Sequence, residues 1–259
     1  MRASLTERVS SRLRVESAEL SLRGARETNQ DRVAAVSGEH SALLVACDGM
    51  GGHAEGERAA EIAEQILTTR FREATQPMLD PLGFLHHSVG AAHQTVVAFG
   101  AGTPIESRPR ATCAVCLVQQ GSGYWIHVGD SRVYLLRRGR VALRTRDHSH
   151  VELLVREGVI RPDQMQTHPM RNFVESCIGG EMLLPEMSVS PRVALQDGDV
   201  LLVCTDGLWA NLDDQDIATA FAAAEASLSD ALAGLVARAV EVGGSSSDNT
   251  SAAVLRYRE

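Results

Sequence analysis

Four aspartates in the sequence lie next to apolar segments that are typical of buried strands. They are Asp48, Asp130, Asp206 and Asp248. Two of them belong to nearly identical stretches, "LLVACDG" at 43–49 and "LLVCTDG" at 201–207. If these strand ends share one edge of a sheet, the carboxylates converge, and a divalent cation normally keeps such a cluster ionised. Carboxylate and carbonyl oxygens without His or thiolate neighbours favour Mg²⁺ or Mn²⁺.

Each Asp-Gly pair also has a simpler interpretation. One such pair after a strand is more often a hairpin turn than a metal ligand, and it is the four aspartates together that favour a metal site. The glycines of "DGMGGH" at 48–53 permit close backbone approach, so the Gly49 carbonyl is a further candidate ligand. A phosphate-binding loop is the alternative, but its Gly-x-x-x-x-Gly-Lys pattern needs a lysine and the chain has none.

The composition limits which partners and chemistries are available. With 259 residues, 44% of them hydrophobic, the chain has enough apolar material for a sizeable core. The net charge of −8 argues against nucleic acid and against an anionic membrane surface as partners, because both attract a basic field. Since all 25 basic residues are arginines, Schiff-base chemistry and a lysine general base are excluded.

The five cysteines suit a reducing compartment, because several lie in apolar runs where a free thiol behaves as a small hydrophobe. Cys113 and Cys116 form a C-x-x-C pair, but on a strand they point to opposite faces, and no second pair completes a zinc site. A buried core is favoured over a redox or metal role. With no signal peptide and no 18-residue apolar run, we expect a cytoplasmic protein without membrane insertion.

The elements that must position the aspartates are predicted as strands in blocks and helices in pairs. Residues 54–73 and 82–99 have the apolar spacing of amphipathic helices, whereas 111–145 contains short β-rich runs separated by glycine. This order favours an α+β fold in which helix pairs cover the outer faces of packed antiparallel sheets. We expect a loose N-terminal arm over 1–16 and a single domain over 17–259.

Seven motifs in order give the chain a resemblance to a known family. They are "RETNQDR" (26–32), "DGMGGHAEGERAA" (48–60), "HVGDSRVYLLRRG" (127–139), "RDHSHVELLVREG" (146–158), "HPMRN" (168–172), "LLVCTDGL" (201–208) and "SDNTSAAV" (247–254). Together they resemble the metal-dependent Ser/Thr protein phosphatases of type 2C in their bacterial form. The match spans about residues 17 to 257, and although each motif alone is weak, seven in register are specific.

The resemblance implies a four-layer αββα sandwich with a two-metal site, of Mn²⁺ or Mg²⁺, in a cleft at one edge. By motif, Asp48 bridges both metals, the Gly49 carbonyl binds one of them, and Asp206 and Asp248 complete the other. Asp130 matches the acid that helps to hold a third, weaker metal in bacterial members.

The resemblance also assigns residues around the metals. Arg26 matches the arginine that grips the substrate phosphate, a task that suits a planar, permanently charged fork. Asp31 is expected to support the metal waters. Residues 147 to about 185 correspond to a flap that borders the cleft. The candidate flap residues are His148, His168, Arg171 and Asn172, and the remaining supporting positions are Gln30, His53 and Asn249.

Two positions depart from the pattern of many relatives. Gln30 stands where many have a glutamate beside the metals, which reduces the charge there. Met50 stands where eukaryotic relatives have a histidine that protonates the leaving alkoxide. A metal-bound water then supplies the proton, or His53 does, and a role of His53 in loop structure is an equally good interpretation.

The resulting expectation is metal-dependent hydrolysis of phosphoserine and phosphothreonine in proteins by a metal-activated water, reversing a bacterial Ser/Thr kinase. The partners would be phosphorylated proteins and a cognate kinase, while the oligomeric state stays open. One alternative is a weakly active, phosphatase-like domain that regulates a partner by binding it. Another is a metal-dependent nuclease, which the charge of −8 disfavours.

Overall fold

The structure is a computed structural model that describes residues 13–50, 54–222 and 227–259. The strands are β1 (Arg14–Leu22), β2 (Asp31–Ser37), β3 (Ser41–Met50), β4 (Arg110–Ala111), β5 (Cys113–Gln119), β6 (Ser122–Val128), β7 (Arg132–Arg137), β8 (Arg140–Arg144), β9 (Ile178–Gly179), β10 (Ser188–Val189), β11 (Val193–Ala194), β12 (Val200–Cys204) and β13 (Thr250–Arg258). The helices are α1 (Ala54–Glu73), α2 (Pro81–Phe99), α3 (His150–Arg156), α4 (Asp206–Trp209), α5 (Asp214–Ala220) and α6 (Leu228–Gly243).

The described strands form two antiparallel sheets. The five-stranded sheet has the order β1-β13-β12-β7-β8. The eight-stranded sheet has the order β10-β6-β5-β3-β4-β9, with β2 paired to β3 and β11 paired to β6. Each sheet contains one of the two similar Asp-Gly stretches, since β3 lies in the larger sheet and β12 in the smaller.

Three apolar clusters hold four layers together. Helices α1 and α2 pack on the outer face of the eight-stranded sheet through residues such as Leu67, Leu85 and Val89. The inner faces of the two sheets meet in a second cluster that includes Leu44 and Leu201. The third cluster packs α4, α5 and α6 on the outer face of the five-stranded sheet. The predicted α+β class and αββα sandwich are therefore confirmed.

Side chains along β3 and β12 point alternately to the two faces of their sheet, so each sheet contributes to two apolar clusters. Leu43 and Val45 face the helices, whereas Leu44 and Ala46 between them face the other sheet, as the period of two in a strand requires. Because both faces are buried, residues 42–47 of β3 and 200–204 of β12 are all apolar, and Asp48 and Asp206 follow these segments at the edge.

The N-terminal boundary differs from the prediction. Strand β1 begins at Arg14 and pairs with β13 along its full length, from Arg14 opposite Arg258 to Leu22 opposite Thr250. Residues 14–16 therefore belong to the sheet and not to the predicted arm over 1–16. The mixed pattern "RVESAELSL" hid this strand, because an edge strand carries charged residues between its apolar ones. Among the described helices, none has the length and apolar character needed to cross a membrane.

Candidate metal centre

Two of the acidic residues face each other across neighbouring strands of the larger sheet. In the register of β2 and β3, Asp31 lies directly opposite Asp48. Asp31 is buried and accepts a hydrogen bond from the Thr205 hydroxyl at 2.7 Å. Burial raises the pKa of Asp31 to about 6, with a further contribution from the nearby Asp248 carboxylate. The pKa of Asp48 is raised well above its usual range, first by burial and then by repulsion from the surrounding aspartates.

The other three acids come from the smaller sheet and its connections. Asp206 is the first residue of α4 and follows β12, Asp248 precedes β13, and Asp130 lies in the crossing between β6 and β7. Burial and then Asp130 and Asp248 raise the pKa of Asp206 well above its usual range. Burial raises the pKa of Asp130 to about 7, and Asp147 adds to this effect.

This cluster suits divalent cations. Its five carboxylates repel one another, and Asp130 Oδ1 is buried without a hydrogen-bond partner. A cation in the cluster would relieve the repulsion and satisfy that oxygen, and an all-oxygen donor set favours Mg²⁺ or Mn²⁺. Within the described residues, no three His, Cys, Asp or Glu side chains already enclose a point where an ion would fit. Asp130, Asp206 and Asp248 line a cleft, whereas Asp31 and Asp48 are not among its described lining residues.

Two glycines let the backbone close around the acids. A Cβ atom added to Gly49 would lie 2.1 Å from the carbonyl oxygen of Gly56, in the first turn of α1. A Cβ atom added to Gly207 would lie 2.1 Å from the carbonyl oxygen of Asn249. Both distances are far shorter than a van der Waals contact. The glycine after each aspartate is therefore required by packing, and the Asp-Gly stretches are not simple hairpin turns.

Asn249 ties the loop that carries Arg26 to the cluster. Its Oδ1 accepts from the backbone N–H of Gln30, and its Nδ2 donates to the carbonyls of Arg23 and Thr28, each at 2.8 Å. Arg26 itself donates from a terminal nitrogen to Asp248 Oδ2 at 2.6 Å. The guanidinium thus lies at the mouth of the cleft, where a bound phosphate would compete with Asp248 for it.

Gln30 connects the loop that carries Arg26 to strand β3 through its backbone. Its carbonyl accepts from the Gly49 N–H at 3.2 Å, and its side chain lies beside Gly56. Met50, the residue that replaces a histidine of some relatives, pairs with Arg110 in the larger sheet. The candidate His53 lies outside the described residues.

The cleft continues beyond the acids. It has a volume of about 730 Å³ and is lined by Arg26, Asp130, Asp206 and Asp248 together with residues of α4, α5 and the flap. Of the four candidate flap residues, Arg171 and Asn172 line it. The other two, His148 and His168, lie outside the described lining of the cleft.

His148 lies at the base of the flap. Burial lowers its pKa, and its Nδ1 accepts from the Gly129 N–H at 3.2 Å, which requires an unprotonated nitrogen. His168 accepts from the Met170 N–H at 3.1 Å within its own turn. His148 therefore ties the base of the flap to the residue before Asp130, whereas His168 organises its own turn of the flap.

Sequence reasoning missed a second polar cluster beside the acids. Arg132 and Asp147 form a buried ion pair, and the Arg132 guanidinium lies over the Trp209 ring at 3.5 Å from its centroid. Two quoted motifs contain the pair, "HVGDSR" and "RDHSH", but fifteen residues of chain separate the partners. Thr205 was also missed, although it occupies the position before Asp206 in "LLVCTDG".

The sandwich with its acidic edge defines the class, and comparison with known proteins defines the family. The family model described as "Protein phosphatase 2C" matches residues 21–237. The chain belongs to this family. It is 33% identical over 193 residues to the serine/threonine protein phosphatase PstP of Mycobacterium tuberculosis strain H37Rv, which covers 74% of this chain and 36% of PstP. The matched part therefore spans about a third of that relative.

Solved structures agree with this assignment. The crystal structure of M. tuberculosis PstP has a TM-score of 0.81 at 30% identity and covers 95% of this chain and 99% of that chain. The S. agalactiae serine/threonine phosphatase has a TM-score of 0.83 at 28% identity and covers 95% and 100%. A structure of the PstP catalytic domain in complex with two manganese ions has a TM-score of 0.80 at 28% identity and covers 95% and 99%.

Proposed function

We propose that the protein hydrolyses phosphoserine and phosphothreonine in proteins, with divalent cations held in the acidic cleft. The observation that carries this proposal is the convergence of five aspartates from both sheets at one edge of the sandwich. Membership of the protein phosphatase 2C family and similarity to a phosphatase structure with two manganese ions support it.

The acids have distinct proposed roles in holding the cations. Asp48 and the Gly49 carbonyl, from the larger sheet, and Asp206 and Asp248, from the smaller, would hold two ions, while Asp130 would help to hold a third. When bound, such ions activate a water for in-line attack at phosphorus and neutralise the phosphoryl oxygens. Asp31 does not need to be a ligand, because its carboxylate is already fixed by Thr205.

Residues of the chain itself would bind and orient the substrate. Arg26 is well placed to bind the phosphate, because its guanidinium is at the cleft mouth and more than half exposed. A planar guanidinium can form two parallel hydrogen bonds with phosphate, which fixes the direction of the phosphate ester. Arg171 and Asn172 on the flap side of the cleft would contact the protein segment around the phosphorylated residue.

The proposal extends to the partners and the compartment. A hydrolase of this specificity reverses a Ser/Thr kinase, so we propose a cognate kinase in the same cell and a role in signalling. In the described part of the chain, which contains all five cysteines, each is a free thiol, which suits the reducing cytoplasm.

Phosphate release from p-nitrophenyl phosphate and from a phosphothreonine peptide, measured across a Mn²⁺ titration, tests the proposal. We expect turnover that needs Mn²⁺, that EDTA abolishes, and that Asp206→Ala lacks. Asp216→Asn is the matched control, because Asp216 of α5 pairs with Arg238 of α6 and is not among the described residues that line the cleft. A folded sample that binds phosphopeptide without turnover at any metal concentration would instead support a regulatory binding domain.

A further inference from the structure

A buried arginine lies next to the acidic cluster without belonging to it. Arg132, 7% exposed, donates from Nε and from a terminal nitrogen to the two oxygens of Asp147, at 2.8 and 2.7 Å. Its other terminal nitrogen donates to the Tyr134 hydroxyl at 3.1 Å. The face of its guanidinium lies on the Trp209 ring. The guanidinium therefore contacts the flap base through Asp147, helix α4 through Trp209, and its own strand β7 through Tyr134.

These contacts join three parts of the cleft. Trp209 donates from its ring N–H to the carbonyl of Asp130 at 3.0 Å, and it ends the short helix α4 that Asp206 begins. Asp147 is the first residue of the flap. The residue after it, His148, donates its N–H to the Gly129 carbonyl at 2.8 Å. Arg132 thus connects the segment of Asp130 to the helix of Asp206 and to the base of the flap.

A second ion pair on the same strand provides a comparison. Arg137 at the far end of β7 binds Asp199 with the same two-bond geometry, at 2.8 and 2.7 Å. The side chain of Arg137 is 27% exposed, and Asp199 also accepts from the Gln196 N–H within its own turn. This pair stabilises a turn between strands, and its described contacts include none of the acids. Arg137 is therefore a paired arginine of β7 that does not contact the cleft, unlike Arg132.

We propose that Arg132 is the positioning residue of the site, which fixes Asp130 and the flap base relative to Asp206 and thereby sets the affinity of the cation at Asp130. This inference rests on the proposed metal-dependent function. Its physical basis is the shape of the guanidinium, which can stack on Trp209 and bind both oxygens of Asp147 at once, whereas a lysine ammonium cannot do both. The hydrogen bond from Trp209 holds the backbone carbonyl of Asp130 in place. The carboxylate of Asp130 keeps one buried oxygen, Oδ1, without a hydrogen-bond partner.

The test compares Arg132→Lys with Arg137→Lys. Bound Mn²⁺ is counted by the loss of the free-ion electron paramagnetic resonance signal, and thermal unfolding and p-nitrophenyl phosphate turnover are measured on the same samples. We expect Arg132→Lys to raise the Kd of the weakest Mn²⁺ at least tenfold and its half-saturating Mn²⁺ for turnover by a similar factor. Arg137→Lys is expected to change both less than twofold, even if it lowers the Tm as much.

The outcomes separate this inference from the proposed function. If the wild type binds Mn²⁺ and turns over while Arg132→Lys binds Mn²⁺ with unchanged number and affinity, the positioning role is wrong and the function stands. If the folded wild type binds no Mn²⁺, both are wrong. Equal effects of the two lysine variants on Mn²⁺ binding would also overturn the positioning role.

A second variant covers the case in which Arg132→Lys does not fold. Trp209→Phe keeps an aromatic face for Arg132 and removes the hydrogen bond to the Asp130 carbonyl. We expect it to raise the Kd of the weakest Mn²⁺ about threefold or more. Trp125→Phe, in the cluster between the sheets, is the matched control and is expected to leave that Kd unchanged. Unchanged Mn²⁺ binding in Trp209→Phe would contradict the proposal.

Discussion

The two Asp-Gly stretches follow apolar strand segments in different sheets, and the chain continues from them in different ways. After Asp48, strand β3 goes on pairing, with Gly49 opposite Ala111 and Met50 opposite Arg110. After β12 the chain turns at once into α4, whose first residue is Asp206. Nearly the same sequence therefore delivers a carboxylate to the same acidic cluster, through continued backbone pairing in one sheet and through a helix start in the other.

The residue before each aspartate shows a second difference. Cys47 is fully buried and packs in the cluster under α1 and α2. Thr205 instead donates to Asp31, a residue of the opposite sheet, and accepts from the Ser251 N–H at 3.1 Å. The residue before the second aspartate thus forms a polar tie between the sheets, whereas Cys47 packs among apolar side chains. A repeated motif can therefore place the same chemical group with different support. The Asp48 N–H donates to the Thr112 hydroxyl beside continued strand pairing, whereas Thr205 ties the second strand end to Asp31.

The largest expected effect comes from removing either carboxylate. For Asp48→Asn and for Asp206→Asn we expect kcat to fall by roughly 10³-fold or more, because each acid would hold a cation needed for catalysis. The metal-free Tm should rise in both, since each substitution removes a repelling carboxylate. Steady-state kinetics and thermal unfolding in EDTA measure the two effects. If only one variant kept its activity, the carboxylates of Asp48 and Asp206 would not be equally needed for catalysis.

The glycines after the aspartates should be equally intolerant of a side chain. We expect Gly49→Ala and Gly207→Ala each to lower the free energy of unfolding by about 3 kcal/mol, because the added Cβ must displace backbone. Denaturant unfolding provides the measurement. Gly234→Ala is the control, since α6 has open space there, and it should raise the stability by up to about 1 kcal/mol. If Gly207→Ala left the free energy of unfolding unchanged, the backbone at the start of α4 would be able to accommodate a Cβ atom that the backbone of β3 cannot.

The metal-free protein should become less stable as the pH rises. The pKa of Asp31 is raised to about 6 and that of Asp130 to about 7, so the folded protein keeps protons that the unfolded chain releases near pH 4. Stability is therefore lost between about pH 4 and pH 7, and we expect a lower Tm in EDTA at pH 8 than at pH 5.

Mn²⁺ should restore more stability at pH 8 than at pH 5, because the cation and the protons compete for the same carboxylates. The same scans on Asp48→Asn and Asp206→Asn sharpen the comparison, since equal contributions from the two ends would reduce the pH dependence equally. A metal-free Tm that rises from pH 5 to pH 8 would contradict the acidic cluster.

The smallest expected effects concern the residues before the aspartates. Thr205→Val should cost about 1 to 2 kcal/mol of stability, because it removes a buried hydrogen bond to Asp31. It should also weaken Mn²⁺ binding about threefold, since Asp31 would be less firmly held and its pKa would rise further. Cys47→Ala should lower stability by about 1 kcal/mol and leave Mn²⁺ binding unchanged. Isothermal titration calorimetry with Mn²⁺ distinguishes the two variants. Equal Mn²⁺ affinities would show that Thr205 supports the metal site no more than Cys47 does.

The sequence was informative where periodicity and strand ends carry the information. The apolar runs before Asp48 and Asp206 predicted buried strands, and both strands are present. The edge strand β1 was missed because charged residues interrupt its apolar pattern. Asp31 lies opposite Asp48 because of the register between β2 and β3. The Arg132–Asp147 pair forms because the base of the flap packs back against β7. Neither relation is encoded in local spacing, so neither could be predicted from the sequence.

The central claim is that acids from the two sheets share one metal site. Anomalous scattering at the manganese edge, from crystals of the active protein grown with Mn²⁺, tests it most directly. We expect manganese peaks between Asp48 of the larger sheet and Asp206 and Asp248 of the smaller one. Crystals of an active sample whose manganese peaks lie away from these three carboxylates, or that show no peak in the cleft, would contradict it.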